Sequence, residues 1–141
     1  TCVKILIVLT FWNAKGQTTE RILVSPNKRY LVTASGKPFF YLADTGWEML
    51  HRLDKAQTRQ YLETRKSQGF NTIQTVVLAE EDGLRTPNAE GHVPFSSLYT
   101  LEPNEKYFEH IDFAVDLASS MGMYLALLPT WGDKVNRLQW G

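Results

Sequence analysis

Apolar positions fall along this chain in short dense blocks separated by polar stretches rich in Gly, Pro and Asn. The block Phe39-Phe40-Tyr41-Leu42 is apolar at every position, without the alternation of a half-exposed strand. That pattern predicts a strand covered on both faces, as in a parallel sheet. A helix is predicted next. Asp54 has the character of an N-cap, Gln57 three residues on is its capping-box partner, Tyr61, Leu62 and Arg65 continue the helical spacing, and Gly69 supplies a left-handed stop. The run Thr72-Ile73-Gln74-Thr75-Val76-Val77-Leu78 predicts a second strand. A second helix is predicted from near Asn104, with Phe108, Ile111, Val115 and Ala118 on one face and a stop at Gly122. Met123 to Leu128 predicts a third strand, which runs out into Pro129-Thr130-Trp131-Gly132-Asp133.

The segments "SQGFNTIQTV" and "SMGMYLALLP" both read as helix end, glycine, apolar residue and buried strand, the joint expected between a helix and the next strand of a repeating α/β unit. Strand, helix, strand, long loop, helix, strand implies parallel crossovers. Of the two closures such a sheet can adopt, the open nucleotide-binding sheet wants a glycine-rich phosphate loop after its first strand, and Asp44-Thr45-Gly46-Trp47 has a single glycine. The expected fold class is therefore α/β, the N-terminal portion of a (β/α)8 TIM barrel. About 250 residues and eight strands are typical of that barrel. Only the first three barrel strands are legible here, so residues 39–141 are expected to be the first part of a truncated one.

Ahead of it, Arg21-Ile22-Leu23-Val24 and Arg29-Tyr30-Leu31-Val32 are short β-type runs joined by the turn residues Ser25-Pro26-Asn27-Lys28, and a second turn at Ala34-Ser35-Gly36-Lys37 leads to Pro38. These predict a small β-meander over 18–38. Residues 1–17 hold the apolar run Val3 to Trp12, with Lys4 as its single charge. The run is shorter than the roughly 20 residues of a spanning helix and within the ~7–15 of a signal-peptide core. A truncated signal peptide, and hence export to the periplasm or the outside of the cell, is the expectation.

Fifteen basic and fifteen acidic residues cancel to a formal net charge of zero, with no block of like charge, so a nucleic-acid partner is not expected. The single cysteine, Cys2, excludes an internal disulfide. His51, His92 and His110 are scattered without the spacing of metal ligands, so neither a metal nor another cofactor is expected.

Active sites of such barrels lie at the carboxyl ends of the strands. The first end offers Asp44, Thr45 and Trp47; the second has Gln74 within the strand and Glu80, Glu81 and Asp82 beyond it; the third has Trp131 and Asp133. Carboxylates, an amide and indoles converging on one mouth suit sugar recognition, because sugar rings stack on aromatic faces while charged and amide groups hold the hydroxyls. Asp44, Thr45, Trp47, Gln74, Glu80, Trp131 and Asp133 are accordingly the candidate substrate-binding residues. Each has a plainer reading as well: Asp44 as a cap of the following segment, Trp47 as core under the first helix, the Glu80-Glu81-Asp82 run as a solvated loop. His110, beside the apolar face of its helix, reads as structural. The polar segment from Glu80 to Asn104, with Pro87, Pro94 and Pro103, has the length of a functional loop.

Three ordered blocks, "YLVTASGKPFFYLADTGWEMLHRL", "YLETRKSQGFNTIQTVVLAE" and "GMYLALLPTWGDK", resemble the amino-terminal half of the apiosidase-like barrel family, glycoside hydrolase family 140 and its relatives. The resemblance runs from about Arg21 to Trp140. It implies a retaining (β/α)8 hydrolase of exported bacterial proteins that removes sugars from plant cell-wall polysaccharides such as pectin, without a metal. On the matching strand-end motifs it places Asp44, Trp47, Gln74 and Trp131 in the substrate pocket. It also implies that the general acid and the nucleophile follow the fourth and seventh strands, beyond Gly141, so no catalytic residue is expected in this chain. An alternative from another class is a non-catalytic carbohydrate-binding module with Trp47 and Trp131 as platforms. A barrel enzyme of phosphorylated metabolites is a third reading, and it wants a phosphate site after strands seven and eight.

Overall fold

The computed structural model describes residues 19–80 and 82–131. The proposed leader, Glu81 and Asp133 lie outside the described residues. The first strands, β1 (Ile22–Val24), β2 (Leu31–Thr33) and β3 (Pro38–Phe39), form an antiparallel meander in the order β1-β2-β3. The turn between β1 and β2 is built by Ser25, whose buried hydroxyl donates to Asn27 Oδ1 and accepts from the backbone N–H of Arg29 and of Tyr30.

The parallel sheet begins later than the apolar pattern indicates. Its strands are β4 (Ala43–Thr45), β5 (Thr72–Val76) and β8 (Tyr124–Leu128), in the order β4-β5-β8, with both pairings parallel. Phe40, Tyr41 and Leu42 are exposed and belong to neither sheet. They form the crossing from meander to sheet, and Asn71 holds it: its Nδ2 donates to Phe40 O at 2.6 Å, and its Oδ1 accepts from Leu42 N at 3.1 Å. Phe39 packs edge-on against Tyr124, with ring centroids 5.2 Å apart, which lays the meander on the amino end of β8. An unbroken apolar run carries no period, so it does not distinguish a two-sided strand from a crossing segment that lends single rings to its neighbours.

Between β4 and β5 stand α1 (Met49–Arg52) and α2 (Lys55–Ser67). The capping box of α2 forms as expected: Asp54 Oδ1 accepts from Gln57 N at 2.8 Å and Gln57 Oε1 accepts from Asp54 N at 3.0 Å. Gly69 at φ +91° ends the helix and Gly122 at φ +71° does the same for α3 (Glu105–Ser120). Both positions are the left-handed conformation that glycine adopts without strain. The long polar segment carries a small antiparallel hairpin, β6 (Phe95–Ser97) and β7 (Glu102–Pro103). Proline marked this stretch as loop, yet Pro103 pairs at a two-residue strand where one missing N–H costs little.

Helices α1, α2 and α3 cover one face of the sheet. Met49, Leu50, Leu62, Ile73, Tyr107 and Ile111 form the heart of the core. The buried stripe of α3 is Tyr107, His110, Ile111, Ala114, Leu117 and Ala118, with Phe108 and Val115 at its margin, so the face is turned by about one residue from the predicted one. Tyr107 is the reason: its fully buried ring sends its hydroxyl to Val77 O at 2.5 Å, past the end of β5. His110 is buried in the same stripe, stacked near Phe113. Strand β5 is buried at four of its five positions, whereas β8, one of the two edges of the sheet among the described residues, leaves Leu127 exposed. No described helix is long and apolar enough to cross a membrane.

Replacing Asp54 by Ala removes the side-chain arm of the capping box, leaving Gln57 Oε1 on the backbone N–H of residue 54, and is expected to lower stability by about 1 kcal/mol, measured by urea unfolding. Burial, reinforced by the negative charge of Glu48, pushes the Tyr107 phenol up to about 12. A raised folded value means that stability is fully present below the unfolded value of 10.0 and is lost as pH rises through the folded one. Melting temperature should therefore stay flat up to about pH 10 and fall between pH 10 and 12, and in Tyr107→Phe that alkaline fall should shrink.

Candidate active site

Residues in register on parallel strands point to the same side of the sheet. Asp44 is in register with Ile73, and Thr45 with Gln74 and Ala126. Ile73 belongs to the helix-covered core. Asp44 therefore faces the helices, and Thr45 and Gln74 face the opposite side. The side chains agree with this. Asp44 Oδ2 accepts from the Tyr61 hydroxyl at 2.7 Å and from Arg65 Nε, both on α2. Its Oδ1 accepts from Thr45 N at 2.9 Å. The Asp44 carboxylate, expected at the substrate, is engaged on the helix side. The Tyr61 hydroxyl first, and Arg65 next, hold it below the ordinary carboxylate value of 3.8.

On the other side, Gln74 Nε2 donates to the Tyr41 hydroxyl at 3.0 Å. Tyr41 belongs to the exposed crossing segment, and no helical or strand period marks it as a partner of Gln74. Past the strand ends the two candidate indoles meet: the rings of Trp47 and Trp131 lie edge to face, centroids 5.0 Å apart and planes at 70°. Neighbouring strands are about 4.8 Å apart, so residues following β4 and β8, with β5 between them, reach this distance only by leaning together over the carboxyl end of β5. The backbone of Trp47 is fixed to β5, its carbonyl accepting from Val76 N at 3.1 Å and from Thr75 Oγ1 at 3.3 Å.

An open cleft of about 430 Å³ borders Thr45, Trp47 and Tyr61, and Glu48, Arg52 and Glu80 also line it. A second cleft of the same volume shares Glu48, Arg52 and Glu80 and extends to Thr86 and Asn88. Glu80 lies past the end of β5 and lines both clefts. Glu48 was not expected. It stands at the N-cap of α1, its carboxylate is withdrawn from solvent, and its Oε2 lies 3.5 Å from Arg52 Nε. The four-residue spacing of Glu48 and Arg52 signals an ion pair in the sequence, but the burial that makes it part of the cleft wall comes from packing.

The outer wall is rigidly tied. Asn88 Oδ1 accepts from the backbone N–H of Glu90 and of His92, Ala89 N donates to His51 O at 2.8 Å, and Glu90 Oε1 accepts from Lys55 N at 3.0 Å. Part of the long polar segment is in this way fastened to α1 and α2 at the mouth. Asp82 turns away to pair with Arg85. Among the described residues no group of three His, Cys, Asp or Glu side chains is placed to hold a metal ion.

A parallel sheet covered by helices, with paired indoles and clefts at its carboxyl end, is the arrangement that comparison with known proteins explains. The model of the apiosidase-like catalytic domain matches residues 25–141. The chain belongs to the apiosidase-like family. Among solved structures, a glycoside hydrolase family 5 protein from Bacteroides vulgatus is 32% identical with a TM-score of 0.72, over 82% of this chain and 26% of that one. A second, described as a glycoside hydrolase, is 31% identical with a TM-score of 0.71, over 83% of this chain and 26% of its own. A putative glycoside hydrolase from the same Bacteroides shares the fold at 16% identity and a TM-score of 0.62. The chain spans about a quarter of the length of these structures. Comparison with curated protein sequences gave no match. The apiosidase-like chain therefore has a partial TIM-barrel glycoside hydrolase fold, and β4, β5 and β8 are strands at the start of such a barrel.

Because the folded value of Asp44 is depressed, its stabilising contribution is present above 3.8 and lost as pH falls through the lower folded value. Asp44→Asn should lower the melting temperature at neutral pH and flatten its decline below about pH 4 relative to the parent chain. Parallel pH profiles of melting temperature check this.

Proposed function

We propose that this chain provides one side of the sugar-binding pocket of an exported glycoside hydrolase acting on plant cell-wall polysaccharide, pectin in particular. The observation that carries this reading is the Trp47–Trp131 pair, standing over the carboxyl end of β5 beside a cleft whose wall includes Glu48 and Glu80. Indole faces suit the apolar faces of sugar rings, and carboxylate and amide groups nearby accept and donate to ring hydroxyls. Thr45, which borders the cleft, Gln74, which faces the same side of the sheet as Thr45, and Asp133 are assigned to sugar binding with them. Asp44 acts from behind, through α2. The apolar run at Val3–Trp12 supports export.

Hydrolysis with retention needs two carboxyl groups about 5–5.5 Å apart, one of them protonated. We assign neither role within this chain: the general acid and the nucleophile are expected after the later strands of the barrel. The role of these residues is to bind and orient the sugar, and catalysis belongs to the whole barrel. The match to a catalytic-domain family supports this reading over a non-catalytic carbohydrate-binding module.

Titration of the chain with neutral and acidic pectic oligosaccharides, followed by calorimetry, tests the proposal. Trp47→Ala and Trp131→Ala should each weaken binding about tenfold, the loss of one good stacking contact of roughly 1.4 kcal/mol. Oligosaccharide affinity that is unchanged in both variants would rule out the indole pair as the platform.

A further inference from the structure

We propose that Asp44, Tyr61 and Arg65 form one positioning unit that sets the Trp47 indole against Trp131, so that the packing of α2 on β4 decides the geometry of the sugar platform. This rests on the sugar-binding reading above for its consequence, but not for its structural content.

Trp47 follows β4 by two residues, on a segment that belongs to neither strand nor helix. One side of that segment is held by β5: Gly46 N donates to Gln74 O at 2.9 Å, and the Trp47 carbonyl takes the two bonds from Val76 and Thr75. The other side is held by Tyr61. A Cβ added at Gly46 would lie 2.9 Å from the Tyr61 hydroxyl oxygen and 3.3 Å from Ile73 Cγ2, so the phenol sits directly on the Gly46 backbone. A side chain at that position has no room, and glycine is what lets α2 approach so closely.

The phenol is itself immobilised. Its hydroxyl donates to Asp44 Oδ2, Arg65 Nε donates to the same oxygen, and the Arg65 guanidinium lies over the Tyr61 ring, 4.9 Å from its centroid. Arg65 is further held by Gln68, whose Oε1 accepts from its Nη1 at 2.9 Å. An aromatic ring pinned by a charge-assisted hydrogen bond at its tip and a stacked cation on its face has little freedom. Gly46 is thus gripped between Tyr61 and β5, and the residue after it is Trp47. Tyr61 also borders the cleft beside Trp47, so any shift of the phenol changes that wall directly.

Two close indoles at a large interplanar angle give an exciton couplet in circular dichroism, which reads their mutual orientation without any ligand. Trp47→Phe in the full chain sets the zero of that signal. Tyr61→Phe, which keeps the ring and removes the hydroxyl, should at least halve the couplet, and Arg65→Lys, which keeps the charge and loses the planar stack, should reduce it by a smaller amount. Adding Asp44→Asn to Tyr61→Phe should bring no further loss, as expected of residues acting as a unit. Sugar affinity should fall about fivefold with Tyr61→Phe, the equivalent of about 1 kcal/mol. A lowered melting temperature with the couplet intact in both Tyr61→Phe and Arg65→Lys would overturn the inference and leave a stabilising contact only. A couplet that falls while sugar affinity does not would leave the positioning unit standing and sink the sugar reading instead.

Discussion

Strand β5 runs between two parallel neighbours and is buried on both faces, and the rest of the structure takes its register from it. Its backbone groups have no water to fall back on, so each must find a partner in β4, β8 or a segment beyond them. The last of these partners lie outside the regular ladder. Val76 N reaches the Trp47 carbonyl, Val77 N reaches Leu128 O, and Leu78 N reaches Pro129 O. The obligation to pair the end of one buried strand therefore places the two loops that carry the indoles. On the core side the same strand presents Ile73 to the helices, and beyond its end Val77 O receives the Tyr107 hydroxyl of α3. Site and core are consequences of one strand's burial.

The two faces of the sheet divide the labour of the candidate residues. Asp44 and Thr45 are adjacent in sequence, yet strand alternation sends them to opposite sides. Asp44 meets Tyr61 and Arg65 on the helix side, while Thr45 faces the same side as Gln74. A carboxylate near a barrel mouth has two very different uses, and the parity of its position in the strand decides between them. Here the parity directs Asp44 into the scaffold and leaves Glu48 and Glu80 as the carboxylates beside the indoles.

The meander contributes from the opposite end. Phe39 against Tyr124, the Tyr124 hydroxyl donating to Glu20 O, and Asn71 bridging Phe40 and Leu42 attach it at the amino ends of β5 and β8. The carboxyl ends are left to the loops that build the clefts. This separation of a stabilising end from a functional end is the general division in α/β barrels.

Much of this was legible in the residues alone, where local chemistry decides. The capping box of Asp54 and Gln57, the left-handed glycines at 69 and 122, the serine-built turn of the meander and the dense strand expected over 72–78 and found over 72–76 are set by interactions a few residues long, so their signals survive in sequence. The order of strands and helices and the single glycine after the first strand carried the α/β barrel class, the family resemblance pointed the same way, and the fold agrees with both. The tertiary structure alone decided where the parallel sheet begins, because an apolar run such as Phe39–Leu42 has no period to read. It turned Asp44 toward α2, since the facing of a three-residue strand depends on its register with β5. It also brought Trp47 and Trp131 into contact and withdrew Glu48 from solvent. These last features depend on residues far apart in the chain, whose meeting follows from the packing of the sheet as a whole.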